Sequence, residues 1–120
     1  MNAPVIAAVD DMFFATKIRA TAEALGVAVS FARNSDALEK LLCETIPQLI
    51  ILDLHSRRCD PFAIAERIKR DERISGVPLV GFYSHVQTEL QKRAQAAGIN
   101  HVMPRSAFTK RLPEILQGQF

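Results

Sequence analysis

The feature that most constrains the fold is an alternation: short apolar runs of strand length recur, each followed by a segment whose apolar residues repeat with the period of a helix. The runs are Pro4 to Val9, Ala28 to Ala32, Leu49 to Leu52, Leu79 to Tyr83 and His101 to Met103. After the first, Phe13 to Leu25 puts Phe14, Ile18, Ala22 and Leu25 on one face, and Gly26 stops the helix. Asn34 and Ser35 are candidate caps for a second helix, whose stripe is Ala37, Leu38, Leu41, Leu42 and Ile46 before Pro47. Pro61 suits the first turn of a third helix that ends near Asp71, with Phe62, Ile64, Ala65 and Ile68 inward. Val86 to Ala97, closed by Gly98, and Ser106 to about Gln117 read as the fourth and fifth helices. The first and third runs read as buried parallel strands. Repeated βα units with right-handed crossovers predict an α/β fold, (βα)5, with a doubly wound five-stranded parallel sheet in the order 2-1-3-4-5.

Length and composition narrow the class. A chain of 120 residues suits a single domain, taken here as 1–120. A hydrophobic fraction of 48% with 23% charged residues is that of an ordinary globule, and no apolar run approaches the roughly 20 residues that span a bilayer. No secretory signal is visible. Cys43 and Cys59 have neither metal-ligand spacing nor disulfide-scaffold density, which points to reduced thiols and a cytoplasmic setting. The chain stops at Phe120, just after Gly118, so an output domain is not expected and a signal would leave through surface contact.

Acids close two of the runs. Asp10 and Asp11 follow the first, and Asp53 follows the third. Ligands of open α/β sheets bind outside the carboxyl ends of the strands, and in the order 2-1-3-4-5 strands one and three are neighbours. The three carboxylates then emerge side by side at the switch point, able to converge on a cation or a phosphoryl group. They would repel unless a divalent cation, a base or a proton intervened. A single acid after a strand also suits a loop or a helix cap.

The chain resembles, over essentially its whole length, the receiver domain of bacterial two-component response regulators. Val9-Asp10-Asp11 is similar to the family's acidic pair after strand one, and Ile51-Leu52-Asp53-Leu54 to its phosphoacceptor strand. Val77-Pro78-Leu79-Val80 matches the lead-in to strand four, and Ala96-Ala97-Gly98 the small-Ala-Gly stop before strand five. The resemblance implies a flavodoxin-like receiver fold and a signalling module rather than an enzyme. It also implies a phosphorelay role as a stand-alone protein, with Asp53 phosphorylated by a histidine kinase or other phosphodonor. By the same resemblance Asp10, Asp11, Asp53 and the backbone of His55 would hold Mg²⁺. The chemistry suits these residue types, since a carboxylate can take a phosphoryl group when a hard cation neutralises the oxygens and aligns donor with acceptor.

Departures from the family pattern cluster at the positions that read the modification. Counted from Pro78, Tyr83 falls where the family has its switch Thr or Ser, and Ser84 comes one residue late, on the opposite face of a regular strand. Either is the candidate switch residue. Counted from Gly98, Arg105 stands in place of the family lysine, with Pro104 before rather than after it. Arginine bridges a carboxylate or phosphate in bidentate fashion and is permanently charged, so it can pin Asp53 in a static ion pair. That predicts the alternative function, a pseudo-receiver whose protein recognition does not depend on phosphate.

The loop Leu54 to Asp60 keeps an acid at Asp60 but has Pro61 where the family has Gly, and its Arg57 and Arg58 either attract an anionic donor or keep the loop solvated. No second histidine or cysteine at ligand spacing from His55 or His85 supports a transition-metal site. Cys59 beside Arg58 reads as an exposed, inert thiol in preference to an activated one. Met12 and Phe13 form an apolar rim for a partner or pack on a neighbouring helix. Val86, Leu90, Ala94 and Ala97 read as core, and Arg67, Lys69, Arg70 and Arg73 as a solvated face. No aromatic interleaving or helix-turn-helix supports nucleic-acid binding, and no apolar span supports a membrane; an unidentified protein partner and a homodimer remain open. A small enzyme of this fold would need a Gly-rich phosphate loop or a paired nucleophile and base, and neither is evident.

Overall fold

Successive side chains of a strand point to opposite faces, so each apolar run divides itself between two cores. The computed structural model describes residues 3–84 and 88–119. Within them the order is β1 (Val5–Ala8), α1 (Met12–Leu25), β2 (Val29–Phe31), α2 (Ser35–Glu44), β3 (Leu49–Asp53), α3 (Pro61–Arg70), β4 (Leu79–Tyr83), α4 (Thr88–Ala96), β5 (His101–Pro104), α5 (Arg105–Lys110) and α6 (Leu112–Leu116). The strands form one parallel sheet in the order β2-β1-β3-β4-β5, as the alternation predicts. Val5, Ala7, Leu49, Ile51, Val80 and Phe82 pack on the side of α1, α5 and α6. Ile6, Ala8, Ile50, Leu52, Leu79 and Tyr83 pack on the side of α2, α3 and α4.

Local signals set most boundaries. Gly26 closes α1 at φ 71°, a left-handed position that favours glycine, and the Asn34 side chain caps α2 by accepting from Ala37 N at 2.8 Å. Gly81 matters for its missing side chain: a Cβ there would lie 2.9 Å from Leu54 Cδ2, so the β3–α3 loop packs directly on the β4 backbone. The start expected for α4 at Val86, and His85 beside it, lie outside the described residues; Ala94 and Ala97 are buried as expected, with Leu90 packed beside them.

Two expectations are corrected. The single last helix is two, because Pro113 has no amide to offer the Thr109 carbonyl four residues back; the chain breaks at Arg111 and restarts as α6. The basic residues of α3 and its exit are not simply solvated. Arg67 spans Glu39 on α2 at 2.6 Å and Asp71 at 2.9 Å, Lys69 reaches Ser75 O at 3.4 Å, and Arg73 donates to the Leu42 and Thr45 carbonyls at the end of α2. Those carbonyls lie where a helix runs out of internal donors, which is what draws the guanidinium in. Arg70 remains exposed, 3.6 Å from Glu66.

Candidate functional site

Asp53 ends β3 beside Phe82 of β4, at the point where the order of strands reverses. The chain turns sharply after it: His55 N donates to Asp53 Oδ1 at 2.9 Å and Ser56 N to Asp53 O at 3.0 Å. The carboxyl group is half-buried, and burial raises its pKa above the ordinary Asp value. The charge of Asp10 adds to that rise, while the His55 amide and the charges of His55 and Arg105 oppose it. Asp10 and Asp53 are thus brought to one edge of the sheet.

Asp10 is held by the loop that follows Asp53. Ser56 Oγ donates to Asp10 Oδ1 at 2.7 Å, Arg57 N donates to Asp10 Oδ2 at 2.8 Å, and Ser56 Oγ in turn accepts from Cys59 N at 3.1 Å. Asp11 has a different task. It caps α1, accepting from Phe13 N at 2.9 Å and Phe14 N at 3.2 Å on Oδ1, while Oδ2 accepts from Arg105 Nη2 at 2.7 Å. The Arg105 bond, followed by the Phe14 amide, lowers the Asp11 pKa. Neutral donors and one base therefore relieve the repulsion expected among the three acids. Among the described residues no three His, Cys, Asp or Glu are gathered to hold a metal ion.

Arg105 opens α5 directly after Pro104, and its guanidinium lies 4.3 Å above the Phe14 ring centroid. The expected ion pair with Asp53 is corrected: the hydrogen-bonded partner of Arg105 is Asp11. Stacking on Phe14 holds the guanidinium beside the first turn of α1, where the cap carboxylate is within reach and no β3 side chain has to move. Tyr83, one of the two candidate switch residues of the sequence, turns to the α4 side, where its hydroxyl accepts from Gln91 Nε2 at 2.6 Å. Ser84 lies exposed just beyond β4.

Around this edge Asp60 caps α3, accepting from Phe62 N at 3.0 Å and Ala63 N at 3.2 Å, with Pro61 in the first turn. Cys59 is not the exposed thiol expected but buried at 2% exposure, and burial raises its pKa. Arg57, Arg58 and His55 are exposed. Met12 and Phe13 stand out at 73% and 90% exposure, so the rim is apolar surface rather than helix packing. Sequence reading gave no role to Ser56 or Gln91. An Asp one residue before a helical stripe is the cap signal that identifies Asp11 and Asp60.

No family model and no curated protein matches the chain. Solved structures do. Over 97% of its length the chain superposes on 99% of the signal receiver domain of a DNA-binding response regulator from Colwellia psychrerythraea, at TM-score 0.82 and 20% identity. The fold is that of a receiver domain. The chemotaxis response regulator CheY4 of Vibrio cholerae shares this receiver fold at TM-score 0.83 and 18% identity, over 98% of each chain. A Burkholderia pseudomallei response regulator, solved with a phosphorylated aspartic acid, calcium ion and citrate, matches at TM-score 0.82 and 18% identity, over 97% of this chain and 67% of that one. No described helix of the chain is long and apolar enough to cross a membrane.

Proposed function

We propose that this receiver-fold chain is a signalling protein that takes a phosphoryl group on Asp53 from a histidine kinase or other phosphodonor and passes the change to a protein partner. The observation that supports it most is Asp53 itself, a half-buried carboxylate at the switch point with Asp10 and Arg105 close enough to act on its charge. An Asp53 oxygen attacks phosphorus, a new P–O bond forms, and the bond to the donor's leaving group breaks with its electron pair. The product adds negative charge and acceptor oxygens at the sheet edge, within the field of Arg105.

Mg²⁺ suits the donors present, which are hard oxygens: Asp10, Asp53 and the His55 carbonyl would hold it, and Asp10 would exchange the Ser56 hydroxyl and Arg57 amide for the metal. Bound there, the ion supplies neutralisation of phosphoryl oxygens. Asp11, committed to Arg105 and to the α1 amides, is the least available of the acids.

A second reading, a phosphate-independent protein-binding module, draws on one observation: Arg105 and Tyr83, at the two reader positions, are bonded to Asp11 and Gln91. Intact mass after incubation with acetyl phosphate, with and without Mg²⁺, separates the two. A Mg²⁺-dependent gain of one phosphoryl mass that disappears in Asp53→Asn supports the phosphoacceptor; no adduct on a folded protein supports the module.

A further inference from the structure

A second crevice opens at the carboxyl ends of β1 and β2, on the other side of Asp10 from Arg105. It encloses about 320 Å³ between α1 and the loops that follow β2 and β3. Val9, Ala15, Phe31 and Ala32 line it with apolar surface, and Arg19, Arg33 and Arg58 line it with three basic side chains. Each arginine arrives from a different segment: Arg19 from α1, Arg33 just after β2, and Arg58 from the β3–α3 loop. Among the described residues, none of the three is paired with a carboxylate. Arg19 instead lies over Phe31, 4.9 Å from the ring centroid.

We propose that this crevice binds a nucleoside monophosphate while Asp10 keeps its bonds to Ser56 and Arg57. Three arginines lining one volume carry more donors than a single carboxylate can satisfy, whereas a phosphate offers several oxygens to planar, forked donors. The apolar wall with Phe31 and its stacked guanidinium suits a flat aromatic ring. Asp10 also lines the crevice and argues against a bare anion, which it would repel. A carboxylate has about four lone-pair positions, of which Ser56 and Arg57 use two, so Asp10 can still accept from a ribose hydroxyl. The volume lies near the lower end of the roughly 300–1,000 Å³ typical of small-ligand pockets, which fits one nucleotide rather than a dinucleotide.

Titration calorimetry on the full chain with AMP, GMP, CMP and UMP tests this, with the matching nucleoside and inorganic phosphate as controls. At least one nucleotide is expected to bind with a sub-millimolar Kd, and both controls to bind at least about tenfold more weakly. An Arg33→Gln, Arg58→Gln double variant alters only exposed side chains, and should keep the wild-type circular dichroism while losing about tenfold or more in nucleotide affinity. The proposal is overturned if no nucleotide binds below millimolar concentration, if inorganic phosphate binds as well as the nucleotide, or if the double variant binds like wild type.

Discussion

Phe82 and Tyr83 are neighbours on β4, yet they serve opposite faces of the sheet and secure the edge around Asp53 by different means. On one face Phe82, Phe14 and Phe108 meet with ring centroids 4.8 to 5.5 Å apart, and Arg105 lies on Phe14 to reach Asp11. On the other face Tyr83 is held through its hydroxyl by one neutral hydrogen bond from Gln91. Arg105 and Tyr83 are hydrogen-bonded to Asp11 and Gln91, but one contact combines a charge, a stacked ring and a buried aromatic cluster, and the other a buried ring and a single neutral hydrogen bond. A change that must break only the polar contact meets less resistance on the Tyr83 side.

Truncating the aromatic cluster is the strongest way to break that contrast. Phe108 is fully buried, and Phe108→Ala should cost about 3–5 kcal/mol in denaturant unfolding. Because Phe108 packs on Phe14 beneath the guanidinium, the same variant should loosen the Arg105–Asp11 bond and let the Asp11 pKa rise, which carboxyl NMR titration would follow. A loss below about 1 kcal/mol, or an Asp11 that titrates as in wild type, would mean that the aromatic face does not hold the pair.

How much of this could be read from the chain depends on the range of the forces involved. Strand order followed from period and handedness, which are local and general, and Phe14 was legible as core from its spacing. Asp10, Asp11 and Asp53 were legible as strand-end acids because each follows an apolar run. Their partners were not, since Arg105 is 94 residues from Asp11 and Ser56 is 46 from Asp10, and nothing local indicates which oxygen a distant donor will reach. Arg67 and Arg73 looked solvated because charge on one helix does not reveal acids or open carbonyls on the next. The break at Pro113 was available from the residue alone.

A smaller effect sharpens the other side of the contrast. Tyr83→Phe removes the hydroxyl and keeps the ring in the core, and Gln91, only half-buried, can turn to water. The expected loss is about 0.5–1.5 kcal/mol, well short of that for Phe108→Ala. Equal losses for the two variants would erase the difference between the faces.

The smallest effect has the opposite sign. Burial raises the Asp53 pKa, so the fold disfavours the charged carboxylate: well below the unfolded value of 3.8 the group is neutral in both states and the fold incurs no penalty. As pH rises through 3.8 and then through the higher folded value, the penalty grows and persists at neutral pH. Asp53→Asn stays neutral and keeps an oxygen for the His55 amide, so its Tm should exceed that of wild type at pH 7 and converge with it in acid. Asp11 should behave in reverse, because Arg105 lowers its pKa and the ionised form stabilises the fold. That contribution is present above the unfolded value and lost as pH falls through the folded one, so Asp11→Asn should lower Tm at pH 7. Thermal scans of both variants at pH 3 and pH 7 would reveal the opposite signs. A shift of the same sign in both would remove the distinction between an Asp11 stabilised by Arg105 and an Asp53 penalised by burial.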